Sequence, residues 1–224
     1  MKVTASSAGD GVRVCRTPED LVRAKAQLRA VPQPIFVEEF IPEGRSLAIH
    51  FGIPRDPQQQ PEFIGATQQI IGENGEFHGG IANDDVVVTP EIDTVFRTHI
   101  FPKIREMGWH GIAELDVIAD DSGRFWVIDP NFRLAATTPH VAHRADGLVK
   151  QNMRSVYGYY NGDHDTLKQI ATVGPNQVLH VISLYQEERT HVIGALLYDQ
   201  PETLQENAHV LERAGVENFG GWDI

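Results

Sequence analysis

Asp116, Asp129, Asn131 and Arg133 are the side chains whose types and spacing most readily suggest chemistry in this sequence. Asp116 lies in an apolar, β-prone stretch at 112–119. Asp129 and Asn131 close the next such stretch, and the turn Asp120-Asp121-Ser122-Gly123 joins the two. In an antiparallel pair, residues near the open ends of both strands face each other, so these oxygens can converge on one point. Two carboxylates and an amide carbonyl form a hard-oxygen set, suited to magnesium and poorly suited to zinc. Magnesium keeps several waters and is usually completed by substrate phosphates. Arg133 beside such an ion could stabilise charge on a transferring phosphoryl group. The same acids could merely shape turns. That explanation fits Asp120 and Asp121 well, and fits Asp129-Pro130-Asn131-Phe132-Arg133 poorly, because this run follows a strongly apolar strand.

Two other groups could meet a phosphorylated ligand. In the glycine turn at 6–11, Ser6, Ser7, Gly9 and Gly11 offer hydroxyls and backbone N–H groups, and Lys2 ends the preceding strand. Such a loop can fold over phosphates while the ammonium contacts one of them. Any tight hairpin also prefers glycine for backbone reasons alone. The Gly-Lys-Ser/Thr ending of a Walker A loop is missing. Glu38-Glu39-Phe40-Ile41 joins two β-rich regions. A carboxylate and exposed amides there could read an adenine edge between apolar neighbours, or could be a solvated acid pair at a strand end. His78, His140 and His143 could act as bases toward an amine, and otherwise read as ordinary polar residues. Cys15 reads as a buried strand residue without a base or second thiol to activate it.

These residues need elements to hold them. Short β-prone pieces at 1–4 and 12–15 flank the glycine turn. Thr17-Pro18-Glu19-Asp20 is a helix start: a hydroxyl N-cap, proline at the first position, then acids at the positive end. Residues 35–41 predict a strand. The stretch 46–53 alternates Leu47, Ile49 and Phe51 on one face, and 63–71 returns beside it. Gly72-Glu73-Asn74-Gly75 signals a hairpin turn. Thr89-Pro90-Glu91 opens a helix that should carry Ile92, Val95, Phe96, Ile100, Ile104 and Met107 inward. A helix is expected over 146–157, a polar stretch over 161–165, strands over 177–185 and 191–198, and an amphipathic helix over 201–214 with Leu204, Ala208 and Leu211 on one face.

Composition narrows the function classes. The 224 residues carry 19 Lys+Arg against 31 Asp+Glu, for a formal charge of −12. This balance argues against nucleic acid as the main ligand, since backbone binding rests on clustered cations. A charged fraction of 22% with 41% apolar residues argues for a folded chain. At this length folding can bury roughly 70–75% of the unfolded surface. One cysteine excludes an intramolecular disulfide. No apolar run approaches the roughly 18–20 residues of a membrane span, and no signal-peptide stretch is evident, so a cytoplasmic protein without membrane partners is expected.

Taken in order, these motifs resemble the ATP-grasp superfamily: Lys2 with residues 6–12, Val37-Glu38-Glu39-Phe40-Ile41, Glu114-Leu115-Asp116-Val117, and Val127-Ile128-Asp129-Pro130-Asn131-Phe132-Arg133. The likeness is greatest to its carboxylate–amine ligase and biotin-carboxylase-like branches, and it covers residues 2–158. It implies an α+β fold of two antiparallel-rich lobes with a nucleotide cleft between them. It further implies a partial nucleotide-lid lobe at 1–40, a catalytic and metal lobe at 41–160 and a β-β-α extension at 161–224. The preceding α/β domain and first part of the lid are expected to be missing. ATP and Mg2+ are the implied cofactors. Lys2 and the loop holding Ser6, Ser7, Gly9 and Gly11 would contact phosphates. Glu38 would accept from the adenine amino group, and the backbone of Glu39, Phe40 and Ile41 would flank the ring. Asp116, Asp129 and Asn131 would hold magnesium, Arg133 would stabilise an acyl-phosphate transition state, and Gln68 would face the same cleft. The implied activity joins a small carboxylate to an amine. The competing expectation is a truncated, non-catalytic nucleotide-binding or interaction module, with a second copy or a partner covering the incomplete N-terminal edge.

Overall fold

The computed structural model describes residues 1–3, 11–29, 33–41, 44–72, 75–120, 122–171 and 177–222. Ser6, Ser7, Gly9 and the turn residues Glu73 and Asn74 lie outside the described residues. Among those described, strands β1 (Lys2–Val3) and β2 (Ile35–Phe36) form a small antiparallel pair. The expected strands at 12–15 and 35–41 reduce to one bridge between Val12 and Lys2 and to the two residues of β2. Helix α1 (Pro18–Leu28) starts where predicted. The Asp20 N–H donates to Thr17 Oγ1 at 3.1 Å, and the Thr17 N–H donates to Asp20 Oδ2 at 2.9 Å.

The rest of the chain is built on one antiparallel sheet of nine described strands. At its centre β3 (Arg45–Ile53) pairs with β4 (Glu62–Ile71) on one side and β6 (Gly111–Ala119) on the other. β7 (Phe125–Asn131) adds to β6, and β5 (Phe77–Ala82) adds to β4. β5 meets β8 (Asn152–Tyr160), which pairs with β10 (Thr190–Tyr198) and β11 (Val216–Asn218). β10 pairs with β9 (Leu179–Gln186), so the C-terminal residues continue the same sheet. The fold is α+β with antiparallel sheets, as the sequence indicates.

Strand periodicity divides the sheet into two faces. Leu47, Ile49, Phe51 and Ile53 of β3 are buried on one, leaving Ser46, Ala48, His50 and Gly52 for the other. The first face is covered by α2 (Pro90–Val95), a π turn (Phe96–Ile100) and α3 (Phe101–Glu106). The π turn has a physical origin in Pro102. Proline lacks an N–H and would clash with the carbonyl four residues earlier, so the helix widens and the Phe101 N–H reaches Phe96 O. Widening puts Phe96 and Phe101 on one side, with ring centroids 5.6 Å apart and Phe51 at 5.8 and 5.2 Å from them. It also rotates Met107, expected inward, out to solvent at 61% exposure.

The same face is continued by α6 (Pro201–Arg213), whose Leu204, Ala208 and Leu211 pack with Val156, Val192 and Leu196. On the opposite face α4 (Thr138–Ala145) crosses β4, with Val141 packed beside Ala82 and Met153.

Residues 146–157 do not form the expected helix. Gly147, with φ of +70°, closes α4, and β8 begins at Asn152. The residues of β8 then alternate between faces, Met153 and Ser155 toward α4 and Arg154 and Val156 away from it. The polar stretch at 161–165 instead starts helix α5 (His164–Ala171), where the Thr166 N–H donates to Asp163 Oδ2 at 2.9 Å.

Candidate functional site

The polar residues of β3, β4, β6 and β7 gather on the face opposite the phenylalanine core. Cross-strand register puts Glu114 opposite both His50 and Asn131, and Asp116 opposite both Ala48 and Asp129. A bulge makes this possible. Counting back from the 120–124 turn, Ala119, Ile118 and Val117 face Phe125, Trp126 and Val127 in regular order, and the next pair is Asp116 with Asp129. Ile128 is the extra residue. Without it Asp129 would stand opposite Leu115 and point into the core, since a shift of one residue flips every side chain.

β7 is the last strand at this end of the sheet, where Lys2 Nζ donates to the Ile128 carbonyl at 3.4 Å while also lying 2.9 Å from Glu38 Oε2. Lys2 and Glu38 are thereby held at the edge of the acid cluster. Gly11 sits beneath β1, its carbonyl accepting from the Val3 N–H at 3.2 Å. Phe40 lies under the Arg16 guanidinium at 5.3 Å. Glu39 and Phe40 are exposed and Ile41 is half-buried, and none of the three reaches the acids through a described hydrogen bond.

Within the cluster Glu114 and Asp116 each accept from a side-chain amide. Asn131 Nδ2 donates to Glu114 Oε1 at 3.2 Å, and Gln69 Nε2 donates to Asp116 Oδ1 at 2.6 Å. Ser46 Oγ donates to Gln69 Oε1 at 2.6 Å. Arg133 hydrogen-bonds the Leu134 carbonyl at 3.2 Å and is close enough for its charge to lower the pKa of both Glu114 and Asp116. Burial and then Asp116 nevertheless push Glu114 up to about 8, and burial and then Asp129 push Asp116 up to about 6. Crowded carboxylates of this kind favour a proton or a cation.

Asp116, Asp129 and Asn131 are therefore brought together on one face, with Arg133 in reach. Glu114, passed over in the sequence in favour of Asp116, is the more buried acid at 4% exposure. The i, i+2 spacing of Glu114 and Asp116 on one strand was the signal that could have found it. Gln68 is corrected: it pairs with Leu47 and lies on the core side, and its neighbours Thr67 and Gln69 face the site. A one-residue error of strand parity accounts for this. His50, Thr67, Thr137 and Thr138, which line the floor of the site, carried no recognised motif. The close approach of Thr137 is permitted by Gly80, where a Cβ would stand 2.7 Å from Thr137 Cγ2.

Among the described residues, no three His, Cys, Asp or Glu side chains are arranged to hold a metal ion by themselves. The donors present are carboxylate and amide oxygens that leave part of a coordination shell to other oxygens. That is the chemistry of magnesium, which is bound through one or two carboxylates, waters and phosphates. None of the helices is long and apolar enough to cross a membrane, among the described residues.

Comparison with known proteins bears on the family and the fold. Residues 2–131 match a family model described as L-aspartate–L-methionine ligase, ATP grasp. The small subunit of 2-oxoglutarate carboxylase from Hydrogenobacter thermophilus is 25% identical over 166 residues, covering 70% of this chain and 34% of that protein. The biotin carboxylase of Campylobacter jejuni, solved with β-γ-ATP, has TM-score 0.64 and 12% identity, covering 97% of this chain and 57% of that one. The biotin carboxylase domain of the Hydrogenobacter thermophilus enzyme, solved as a dimer with MgADP, ADP and bicarbonate, gives 0.61 at 15% identity over 97% and 57%. An ADP complex of N5-carboxyaminoimidazole ribonucleotide synthetase gives 0.59 at 16% identity over 95% and 60%. At these identities the structures establish a shared fold. The chain spans about a third of the curated relative and somewhat over half of each solved chain.

Proposed function

The chain belongs to the ATP-grasp family through the L-aspartate–L-methionine ligase model, and from that premise we propose that it binds Mg·ATP and supplies the phosphoryl-transfer site of a carboxylate–amine ligase. The observation that carries this reading is the pair of adjacent cross-strand positions, Glu114 with Asn131 and Asp116 with Asp129, on one face beside Arg133.

Asp116, Asp129 and Asn131, joined by Glu114, would hold magnesium, which when bound neutralises charge on the phosphates. Lys2 and the loop with Ser6, Ser7, Gly9 and Gly11 contact the phosphates. Glu38 accepts from the adenine amino group, and the backbone of residues 39–41 flanks the ring. A substrate carboxylate oxygen takes the γ-phosphoryl group and ADP departs. The amine then attacks the acyl phosphate, loses a proton and expels phosphate as the C–N bond forms. Arg133 steadies the charge of the transferring phosphoryl group. The protein contributes positioning and electrostatics without a covalent enzyme intermediate. In this reading residues 1–40 are part of the nucleotide lid, residues 41–160 the catalytic lobe and residues 161–224 an extension of its sheet. The activity is read as cytoplasmic.

Hydroxylamine can stand in for the amine, trapping an acyl phosphate as a hydroxamate. With Mg·ATP and a panel of amino acids, hydroxamate and ADP are expected in equal amounts with one class of carboxylate. ATP binding without carboxylate-stimulated ADP release across the panel would support a nucleotide-binding module instead.

A further inference from the structure

Behind the acid cluster, the imidazole of His50 is completely buried, with a partner on each nitrogen. Nε2 stands 3.4 Å from Glu114 Oε2 and 3.1 Å from Thr137 Oγ1, and Nδ1 stands 3.2 Å from Thr138 Oγ1. Thr138 Oγ1 already accepts the Ala135 N–H at 2.9 Å, which leaves its own proton free to point at Nδ1. Nδ1 is then the acceptor, and the ring proton sits on Nε2, on the side of Thr137 Oγ1 and, beyond it, the Glu114 carboxylate. Thr137 Oγ1 accepts from Thr67 Oγ1 at 3.0 Å and lies 3.4 Å from Glu114 Oε2. A buried polar chain in which each member is partnered defines a single arrangement.

We propose that His50 is a positioning residue for the metal–phosphate site: it sets the orientation of the Glu114 carboxylate and ties that orientation to the segment carrying Arg133. The assignment rests on the reading of Glu114 as part of the magnesium-binding set. Two features of the geometry give it content. First, the donor is a neutral N–H. Lysine or arginine in this place would neutralise Glu114 and compete with the cation, whereas a neutral imidazole orients Oε2 and leaves the carboxylate charge for the ion. Oε1 is held from the other side by Asn131 at 3.2 Å. Second, the Nδ1 arm runs through Thr138 to the backbone of Ala135, two residues beyond Arg133. One ring thus couples the acids of β6 to the loop that delivers the guanidinium. Partners that orient a metal-binding carboxylate are worth roughly 10–100-fold in metal affinity.

The test uses ADP binding by calorimetry on the full chain, with and without Mg2+. His50→Leu is expected to lose roughly 10–100-fold of the magnesium-dependent gain in ADP affinity, with metal-free ADP binding unchanged. His50→Gln, whose amide donates on one side and accepts on the other, is expected to recover most of it, which a role in packing alone would not predict. Thr138→Val removes the Nδ1 partner at constant shape and should lose part of the gain, and it serves as the test if His50→Leu does not fold. A folded His50→Leu or Thr138→Val protein that keeps the gain within about twofold of wild type overturns the proposal, being far below the expected range. A wild-type protein with no magnesium-dependent ADP binding overturns the nucleotide reading itself, and the proposal with it.

Discussion

Replacing Asp129 by alanine is expected to lower the magnesium-dependent affinity for ADP by more than roughly 100-fold, a larger loss than for any residue acting through another. Asp129 stands opposite Asp116 at the bulge, and its charge adds to burial in raising Asp116 to about 6. Removing one charge relieves that repulsion, so the apoprotein should not lose stability. What disappears is one of the few hard oxygens available to the ion. Calorimetry with and without Mg2+ separates the two effects, and metal-free ADP binding should stay near its wild-type value. An Asp129→Ala protein that keeps its magnesium dependence would remove Asp129 from the site.

The second large effect concerns acid stability and His140. This residue is completely buried on α4, with Nε2 3.2 Å from Ser155 Oγ on β8. Burial pushes its pKa down to about 4, opposed by the Gly194 backbone and reinforced by the neighbouring His180 and His143. The unfolded chain therefore takes up a proton near pH 6.5 that the folded chain refuses until about pH 4. Stability is complete above pH 6.5 and falls as pH drops between these values. At about pH 4.5 the expected cost from this side chain is roughly 2–3 kcal/mol, from 1.36 kcal/mol per pKa unit. His140→Leu should therefore shrink the difference in unfolding free energy between pH 7 and pH 4.5 by about that amount. Ser155 Oγ would keep the Gly80 carbonyl as a partner at 3.1 Å. His50, pushed down to about 3, works in the same direction, so the variant should retain some acid sensitivity. An unchanged pH difference in His140→Leu would show that the imidazole is not the acid-labile group.

Much of the scaffold was legible because periodicity and turn chemistry agree. The alternation of Leu47, Ile49 and Phe51 identified β3 and its buried face, and Thr17-Pro18-Glu19-Asp20 marked the start of α1. The meeting of Asp116 with Asp129 was anticipated from the turn between their strands. Its true cause, the bulge at Ile128, leaves no local signature in an apolar strand. The same kind of slip misplaced Gln68, since choosing between it and Gln69 depends on which face of β4 is buried.

Other failures have their own physics. The helix expected over 146–157 was overruled by Gly147 and by the aromatic residues that pair with β10. Met107 faced outward because Pro102 widened the helix before it. His50 could not be singled out from sequence at all. Its importance comes from Thr137 and Thr138, 87 and 88 residues away in the chain, which reach it only after α4 has crossed β4.

Manganese can replace magnesium and broaden the resonances of nearby backbone amides, which makes Mn·ADP the most direct probe of where the ion sits. Broadening is expected at 114–116, at 129 and at 131–133, with the far strands β9 and β11 untouched. Broadening centred anywhere else on the sheet, or none at saturating Mn·ADP, would contradict the site described here.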